Sequence, residues 1–192
     1  MLRIATSHYH VAHIIPAMVA KEMGLSDDEV RVIEHAALLH DIGKISISDE
    51  VLMKPEAYTH EEYEKMSVHP VLGYQIVKPI KFLAEEALII LHHHEWYNGE
   101  GYPHRLKGRE IPLGARVVAV LDAYDTMRVA GGGYKRTLSC EEAVRELIEH
   151  AGTQFDPEVV LHFVHALIKR GDLNSGAYNR QKLERSIKAL AA

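Results

Sequence analysis

The sequence predicts an all-α protein. Apolar residues recur every three or four positions through most of its 192 residues. No segment shows the sustained alternation of apolar and polar residues that is typical of half-buried strands. Helix start signals and glycine stop signals fall at the ends of the apolar runs. We therefore expect a helical bundle with additional C-terminal helices.

The first two helices are predicted from their end signals. One should cover about Ser7–Met23 and end at Gly24, because glycine is suited to the C-terminus of a helix. The next should start near Ser26 or Asp27, where a run of acidic residues matches the positive end of the helix dipole. It leads to the string HDIGK, whose glycine is expected to end it.

The downstream helices follow from similar signals. Thr59 and Glu62 have the spacing of a capping box, which predicts a helix leading to His69. Pro70 is suited to open the next helix, because proline is tolerated in the first turn. The remaining helices are expected at about Leu83–His93, Leu113–Arg128, Ser139–His150 and Pro157–Arg170.

The chain is expected to form one main domain. A chain of this length can bury roughly 70% of its unfolded surface without disulfides. The domain should span residues 1–170, and residues 171–192 should form a linker and a short helical tail. Between the predicted helices, Tyr97–Pro112 is rich in glycine and proline and is expected to be a long ordered loop. Loops of this length within a compact domain are usually functional.

Composition argues against several classes of function. The formal net charge is -5, so no overall basic field attracts long nucleic acid. No apolar run approaches the ~20 residues that span a bilayer, and the first ten residues lack the apolar core of a signal peptide. Cys140 is the only cysteine, which excludes a disulfide framework and a cysteine zinc site. We expect a cytoplasmic protein that binds neither long nucleic acid nor membrane.

Imidazole and carboxylate side chains occur at four widely spaced places. They are His40-Asp41 in HDIGK, His69, the string HHHE at His92–Glu95, and Asp122 in AVLDAYD. Such side chains bind borderline or hard divalent metals, and one aspartate can bridge two of them. Adjacent residues of a helix diverge by about 100°, so the HD pair can converge on a metal only at a helix end. The pattern predicts a dinuclear hydrolytic centre.

The order of these strings, with GEGYP at Gly99–Pro103, resembles the HD-GYP family. The resemblance runs from about Ser7 to about Ile168 and implies an HD-superfamily helical bundle. It also implies a metal-dependent phosphodiesterase that hydrolyses cyclic di-GMP to the linear dinucleotide, with GMP as a further candidate product. The nucleophile implied by the family is a hydroxide that bridges two metals.

The resemblance also implies a set of metal ligands. Asp41 would bridge two cations, His40 and Asp122 would complete one of them, and His69, His93 and His94 would complete the other. The family places a further ligand on the first helix, which here is His8, with His10 and His13 as alternatives. Ile4 stands where some members carry a glutamate for a third metal, so two metals are expected. Iron and manganese come first, and cobalt, nickel and zinc are alternatives.

Other residues are assigned to substrate or to the pocket. The family uses the lysine at position 44 to contact the scissile phosphate, which fits a positive charge that stabilises developing negative charge; an ordinary surface lysine is the alternative. Asp125, one turn from Asp122, is expected to orient a ligand or water. Glu95 and Tyr102 are expected to support the pocket. In the family, the GYP loop is also linked to the docking of a signalling protein.

One segment departs from the family pattern. Members usually carry Arg-Pro-Tyr-Arg or Arg-Pro-Tyr-Lys after the downstream aspartate, whereas this chain has RVAGGGYKR. Tyr134 and Lys135 match and are assigned to substrate binding, but glycines replace the Arg-Pro pair. Arg128 and Arg136 are alternatives for the missing base contact. Two other functions stay open: a degenerate sensor or docking module without turnover, and a hydrolase of another cyclic dinucleotide or nucleotide.

Overall fold

A computed structural model of the chain describes residues 14–54, 56–129, 136–174, 176, 178, 183–185 and 187. Within these residues the regular structure is helical, and the only β-type contact is an isolated bridge between Ala151 and Phe155. The prediction of an all-α fold is confirmed.

The described helices largely match the predicted ones. In chain order they are α1 (described over residues 14–22), α2 (Asp27–Leu39), α3 (Asp49–Leu52), α4 (His60–Ser67), α5 (His69–Val77), α6 (Ala84–His92), α7 (Leu113–Arg128), α8 (Cys140–Glu149) and α9 (Pro157–Arg170). Short 3-10 helices span Ile42–Ser46, Lys81–Leu83 and Gly108–Glu110. The sequence did not predict α3 or the 3-10 helices, because segments this short show no periodicity.

Capping side chains define several helix ends. Ser26, Thr59 and Ser139 each accept a hydrogen bond from a backbone amide in the first turn of their helix. In each case the glutamate three residues later accepts a hydrogen bond from the amide of the capping residue, which completes a capping box. Asp156 caps the N-terminus of α9, and Gly171 ends the same helix with φ of 86°. These local signals explain why the predicted and observed bounds agree.

The central helix of the fold is α7. It contacts α2, α6, α8 and α9, and residues on all its sides are buried. Apolar residues of α1, α2, α7, α8 and α9 form the main core. A smaller core of Val77, Ala87 and Ile90 joins α5 to α6. α2 and α6 therefore pack on each other and on α7, and α5 packs on α6.

Described residues after α9 also pack on the main core, with Leu173, Leu183 and Ile187 buried there. The division into a domain at 1–170 and a tail at 171–192 stays a prediction. Within the described part of the chain, the search for a helix long and apolar enough to cross a membrane found none.

Candidate active site

The end of α2 brings two adjacent side chains together. His40 is its C-cap residue, and Asp41 follows with φ of -94° and ψ of 4° before the 3-10 helix begins. His40 Nε2 lies 3.5 Å from Asp41 Oδ2 and 3.6 Å from Oδ1 of Asp122 in α7. The HD pair therefore converges at a helix end, as its adjacency in the sequence requires.

The glycine of HDIGK permits a close approach between this helix end and α5. A Cβ atom at Gly43 would lie 2.0 Å from the carbonyl oxygen of His69 and 2.5 Å from the amide nitrogen of Gly73. Any side chain at this position would push the two backbones apart. The contact leaves Asp41 Oδ1 at 3.4 Å from His69 Nε2. Asp41 consequently lies between His40 and His69.

The histidines that follow α6 complete the cluster. His93 Nε2 lies 3.4 Å from His69 Nε2, and the ring centroids of His93 and His94 are 4.1 Å apart. His69, His93 and His94 each offer a nitrogen, and the three nitrogens lie within 4.8 Å of one another. His40, Asp41 and His93 form a second such group. The two groups share His93 and meet at Asp41.

Backbone carbonyl groups orient three of these imidazoles. The contacts are His40 Nδ1 to Ala37 O at 2.8 Å, His69 Nδ1 to Met66 O at 2.8 Å, and His93 Nδ1 to Ile90 O at 2.7 Å. Because a carbonyl oxygen can only accept, each Nδ1 carries the hydrogen. In a neutral ring the Nε2 lone pair then remains available to a metal. Hydrogen bonds of this kind orient the histidine ligands of many metal sites.

The described donors fit a divalent metal. Nε2 of His40 is buried and makes no hydrogen bond. Its nearest acceptors are the carboxylates of Asp41 and Asp122, at 3.5 Å and 3.6 Å, and a cation bound among the three groups would satisfy them all. The donor atoms are nitrogen and carboxylate oxygen with no thiolate, which suits first-row transition metals.

Burial and charge set the protonation of these groups. Burial lowers the pKa of His69 and His93, and it lowers the pKa of His94 to about 4. Burial acts in the same direction on His40, but Asp122 and Asp41 outweigh it and raise the pKa of His40 to about 9. Burial opposes charge on Asp122, yet His40 holds the pKa of Asp122 well below its usual range. The site thus combines the charged pair of His40 and Asp122 with the neutral imidazoles of His69, His93 and His94.

Two further predicted residues border the cluster. Nζ of Lys44 lies 2.6 Å from Asp41 Oδ2, and its side chain is 36% exposed, so the ammonium stands between the cluster and solvent. Asp125, His40 and Asp122 line a cavity of about 40 Å³ that also touches Pro16 of α1.

The GYP loop folds back against the HHE string. The Glu95 carboxylate accepts hydrogen bonds from the backbone amides of His104 at 2.6 Å and Leu106 at 3.1 Å. A Cβ atom at Gly101 would lie 2.2 Å from the amide nitrogen of Trp96, so this position requires glycine. These contacts hold the loop against the residues that immediately follow α6.

The tyrosine of the GYP string reaches the histidine cluster. The Tyr102 ring stacks on His94 with centroids 5.0 Å apart, and it also makes an edge contact with the ring of Tyr63 of α4 at 6.4 Å. Burial raises the pKa of Tyr102, so its phenol stays neutral. Tyr102 therefore supports His94 by stacking and brings no negative charge.

Sequence reasoning missed two features of the site. His92, left outside the motif, is buried, and its Nε2 lies 3.1 Å from Nδ1 of His104 in the GYP loop. A cavity of about 270 Å³ adjoins His93, His94 and Asp122. Its other lining residues include Trp96, Thr126, Met127, Glu146 and Gln154. Trp96 directly follows the HHHE string, but the others come from α7, α8 and the loop before α9, so no local motif signals them.

Three predicted site residues, His8, Tyr134 and Lys135, lie outside the described residues, as do the alternatives His10 and His13. Their assignments stay predictions.

The helical fold and the histidine and aspartate cluster define the class of protein. The family model described as HD domain matches residues 6–159, and the chain belongs to this family. The match covers most of the chain and includes every described residue of the cluster.

Curated relatives agree with this assignment. The chain is 44% identical over 148 residues to the cyclic di-GMP phosphodiesterase response regulator RpfG of Xanthomonas campestris, covering 76% of this chain and 39% of that protein. It is 41% identical over 184 residues to a cyclic di-GMP phosphodiesterase of Thermotoga maritima, covering 93% and 48%. The chain therefore spans less than half the length of these two relatives.

A solved structure has the same fold. The crystal structure of a cyclic GMP-AMP specific phosphodiesterase of Vibrio cholerae superposes with a TM-score of 0.66 at 20% identity, covering 93% of this chain and 48% of that chain. It shows the helical fold, while the family model and the curated relatives confirm the family recognised in HDIGK, HHHE and GEGYP.

Proposed function

We propose that this chain is the catalytic domain of a metal-dependent phosphodiesterase that hydrolyses cyclic di-GMP to the linear dinucleotide. The observation that carries the proposal is the position of the Asp41 carboxylate, with one oxygen 3.4 Å from His69 and the other 3.5 Å from His40. A carboxylate with a ligand group beside each oxygen is suited to link two cations. Both curated relatives described above carry the name of this activity.

The proposed ligand set is the one that the family resemblance implies. Asp41 would link two cations, His40 and Asp122 would hold one, His69, His93 and His94 would hold the other, and His8 would complete the site. When bound, two such cations make a water acidic at a pKa of about 7 and neutralise charge on the phosphoryl oxygens. Iron and manganese are proposed first, because the ligands are imidazole and carboxylate.

The chain's own residues position the substrate in this proposal. Lys44 moves its ammonium from Asp41 to a phosphoryl oxygen, where positive charge favours the transition state. The cavity beside His94 and Asp122 takes one base, since its volume of about 270 Å³ exceeds that of a purine and Trp96 borders it. Aromatic rings stack on bases of any sequence. Tyr134 and Lys135 are proposed to contact the dinucleotide.

A second substrate is favoured by one feature of the sequence. Glycines replace the Arg-Pro pair that precedes Tyr134 in the family, which removes a base contact. Loss of a polar contact to one base relaxes discrimination between bases. We therefore propose another cyclic dinucleotide, such as cyclic GMP-AMP, as the alternative substrate.

A signalling protein that docks on the GYP loop is proposed as a partner.

The test is elemental analysis of anaerobically purified protein, followed by a substrate panel on the same sample. The panel contains cyclic di-GMP, cyclic GMP-AMP and a simple phosphodiester, with products separated by chromatography. We expect stoichiometric metal and metal-dependent cleavage of cyclic di-GMP. If iron-loaded and manganese-loaded protein leaves every substrate intact, the proposal fails, and tight nucleotide binding without product would then support the sensor alternative.

A further inference from the structure

A second cluster of metal-binding side chains lies between α1 and α9. Glu22 belongs to α1, and His162 and His165 lie three residues apart on α9, where they share a face. Each residue offers one ligand atom, and the three atoms lie within 4.8 Å of one another. Neither helix supplies a described residue of the candidate active site, so this cluster needs an explanation of its own.

The environment of the cluster favours a cation. His165 is 7% exposed and the Glu22 side chain 15% exposed, while Nδ1 of His162 is buried and makes no hydrogen bond. A hydrogen bond from Lys169 lowers the pKa of Glu22, so the carboxylate is ionised at neutral pH. A partly buried, ionised carboxylate beside an imidazole nitrogen that makes no hydrogen bond presents two good donors to a metal.

Lys169 is the present partner of the carboxylate. Its Nζ lies 2.5 Å from Glu22 Oε2, but its side chain is 67% exposed. The ammonium can therefore move into solvent and leave the carboxylate to another cation. Lys169 is thus a competitor of any metal at this cluster.

We propose that Glu22, His162 and His165 form a second metal site, separate from the candidate active site, that binds Zn²⁺ or a similar divalent transition ion. Two histidines and one glutamate are one of the three-ligand sets that zinc uses, with water in the fourth position. The cation replaces the Lys169 ammonium as the partner of Glu22. It clamps α1 to α9, and α1 also borders the small cavity beside Asp125 through Pro16.

The site is tested by counting metal in the full chain. Wild type, His162→Ala/His165→Ala and His60→Ala are dialysed to equilibrium against Co²⁺, and bound metal is measured by elemental analysis and visible absorption. His60 is a matched control, because its side chain is 89% exposed on α4. We expect the double variant alone to hold one equivalent less than wild type, and to show a smaller rise in Tm with Zn²⁺ than wild type and His60→Ala show. The difference does not depend on how much metal the active site holds.

Lys169→Met supplies a test of opposite sign. Removal of the competing ammonium should tighten the additional Co²⁺ equivalent severalfold, whereas Glu22→Gln should weaken it. If the double variant fails to fold by circular dichroism, Glu22→Gln replaces it in the count. Equal metal content in wild type and ligand variants, with no gain in Co²⁺ affinity in Lys169→Met, would overturn the proposal. Glu22, His162 and His165 would then be polar residues that pack together without binding a metal.

Discussion

Oδ1 of Asp41 lies 3.4 Å from Nε2 of His69, while Nδ1 of the same imidazole points at the backbone carbonyl of Met66. The carbonyl fixes which nitrogen carries the hydrogen, and the close packing at Gly43 fixes the distance. The ring therefore presents an unprotonated nitrogen to the carboxylate. A carboxylate oxygen and an unprotonated nitrogen repel each other unless a cation lies between them.

Asp41→Ala should abolish metal binding and hydrolysis together. The substitution removes the only carboxylate that lies within 4 Å of both His40 and His69 among the described residues. Metal content and turnover of cyclic di-GMP are measured on the same preparation. Asp49→Ala, at the exposed start of α3, is the control and should retain both. Full metal content in Asp41→Ala would contradict the proposed ligand role.

Lys44→Met should separate metal binding from catalysis. Its ammonium contacts Asp41 but is not a metal ligand, so metal content should remain at the wild-type level. Loss of a group that stabilises transition-state charge costs roughly 10²–10³ in kcat. Lys65→Met is the matched control, because Lys65 pairs with Glu61 on the exposed face of α4. An unchanged kcat would contradict the catalytic role and support the alternative that Lys44 is an ordinary surface lysine.

Gly101→Ala should loosen the GYP loop from the histidine cluster. The added Cβ would lie 2.2 Å from the amide nitrogen of Trp96 and 2.5 Å from the carbonyl oxygen of His94, both of which are backbone atoms. We expect a lower Tm and weaker metal binding. Gly108→Ala is the comparison, because Gly108 has φ of 58° but open space around its Cβ position. It should lower the Tm through backbone strain and leave metal affinity unchanged. Equal metal affinities in the two variants would count against the predicted link.

Asp156→Ala should destabilise the fold without touching the site. Asp156 is 3% exposed, pairs with Arg116, and accepts the hydrogen bond that caps α9. Removal of one partner of a buried pair costs about 3–5 kcal/mol of unfolding free energy. The exposed pair of Arg109 and Glu158 is the control, and Glu158→Gln should cost about 0–1 kcal/mol. Urea denaturation measures both, and similar losses would contradict the prediction.

Cys140 should react slowly with iodoacetamide in the native state. Burial raises the pKa of its thiol, and the hydrogen bond from the Tyr124 hydroxyl only partly offsets this. The native state therefore binds the thiol proton more tightly than the unfolded state does. The stability that this difference gives is present below the thiol pKa of the unfolded state, and it is lost as pH rises through the thiol pKa of the native state. Tyr124→Phe should raise the thiol pKa further and slow the reaction again. Reactivity equal to that of unfolded protein at pH 8 would exclude a raised pKa.

Helix positions could be predicted because their signals are local. Leu113–Arg128 and Pro157–Arg170 were expected with the bounds that α7 and α9 have, since periodicity and caps act within a turn or two of the chain. At Gly43 the sequence predicts only the end of a helix. The 3-10 helix Ile42–Ser46 could not be predicted, because it is stabilised by contact with α5. The contact of His92 with His104 was missed for the same reason.

By itself, the sequence determined the helical class, the family and the ligand types, because residue identity, spacing and motif order are written in the chain. Only the tertiary structure decided that Asp41 lies between His40 and His69, that Tyr102 stacks on His94, and that Glu22 meets His162 and His165. Such contacts depend on how helices far apart in the chain pack together. That packing is fixed by shape and close backbone approach over the whole core, which no local pattern encodes.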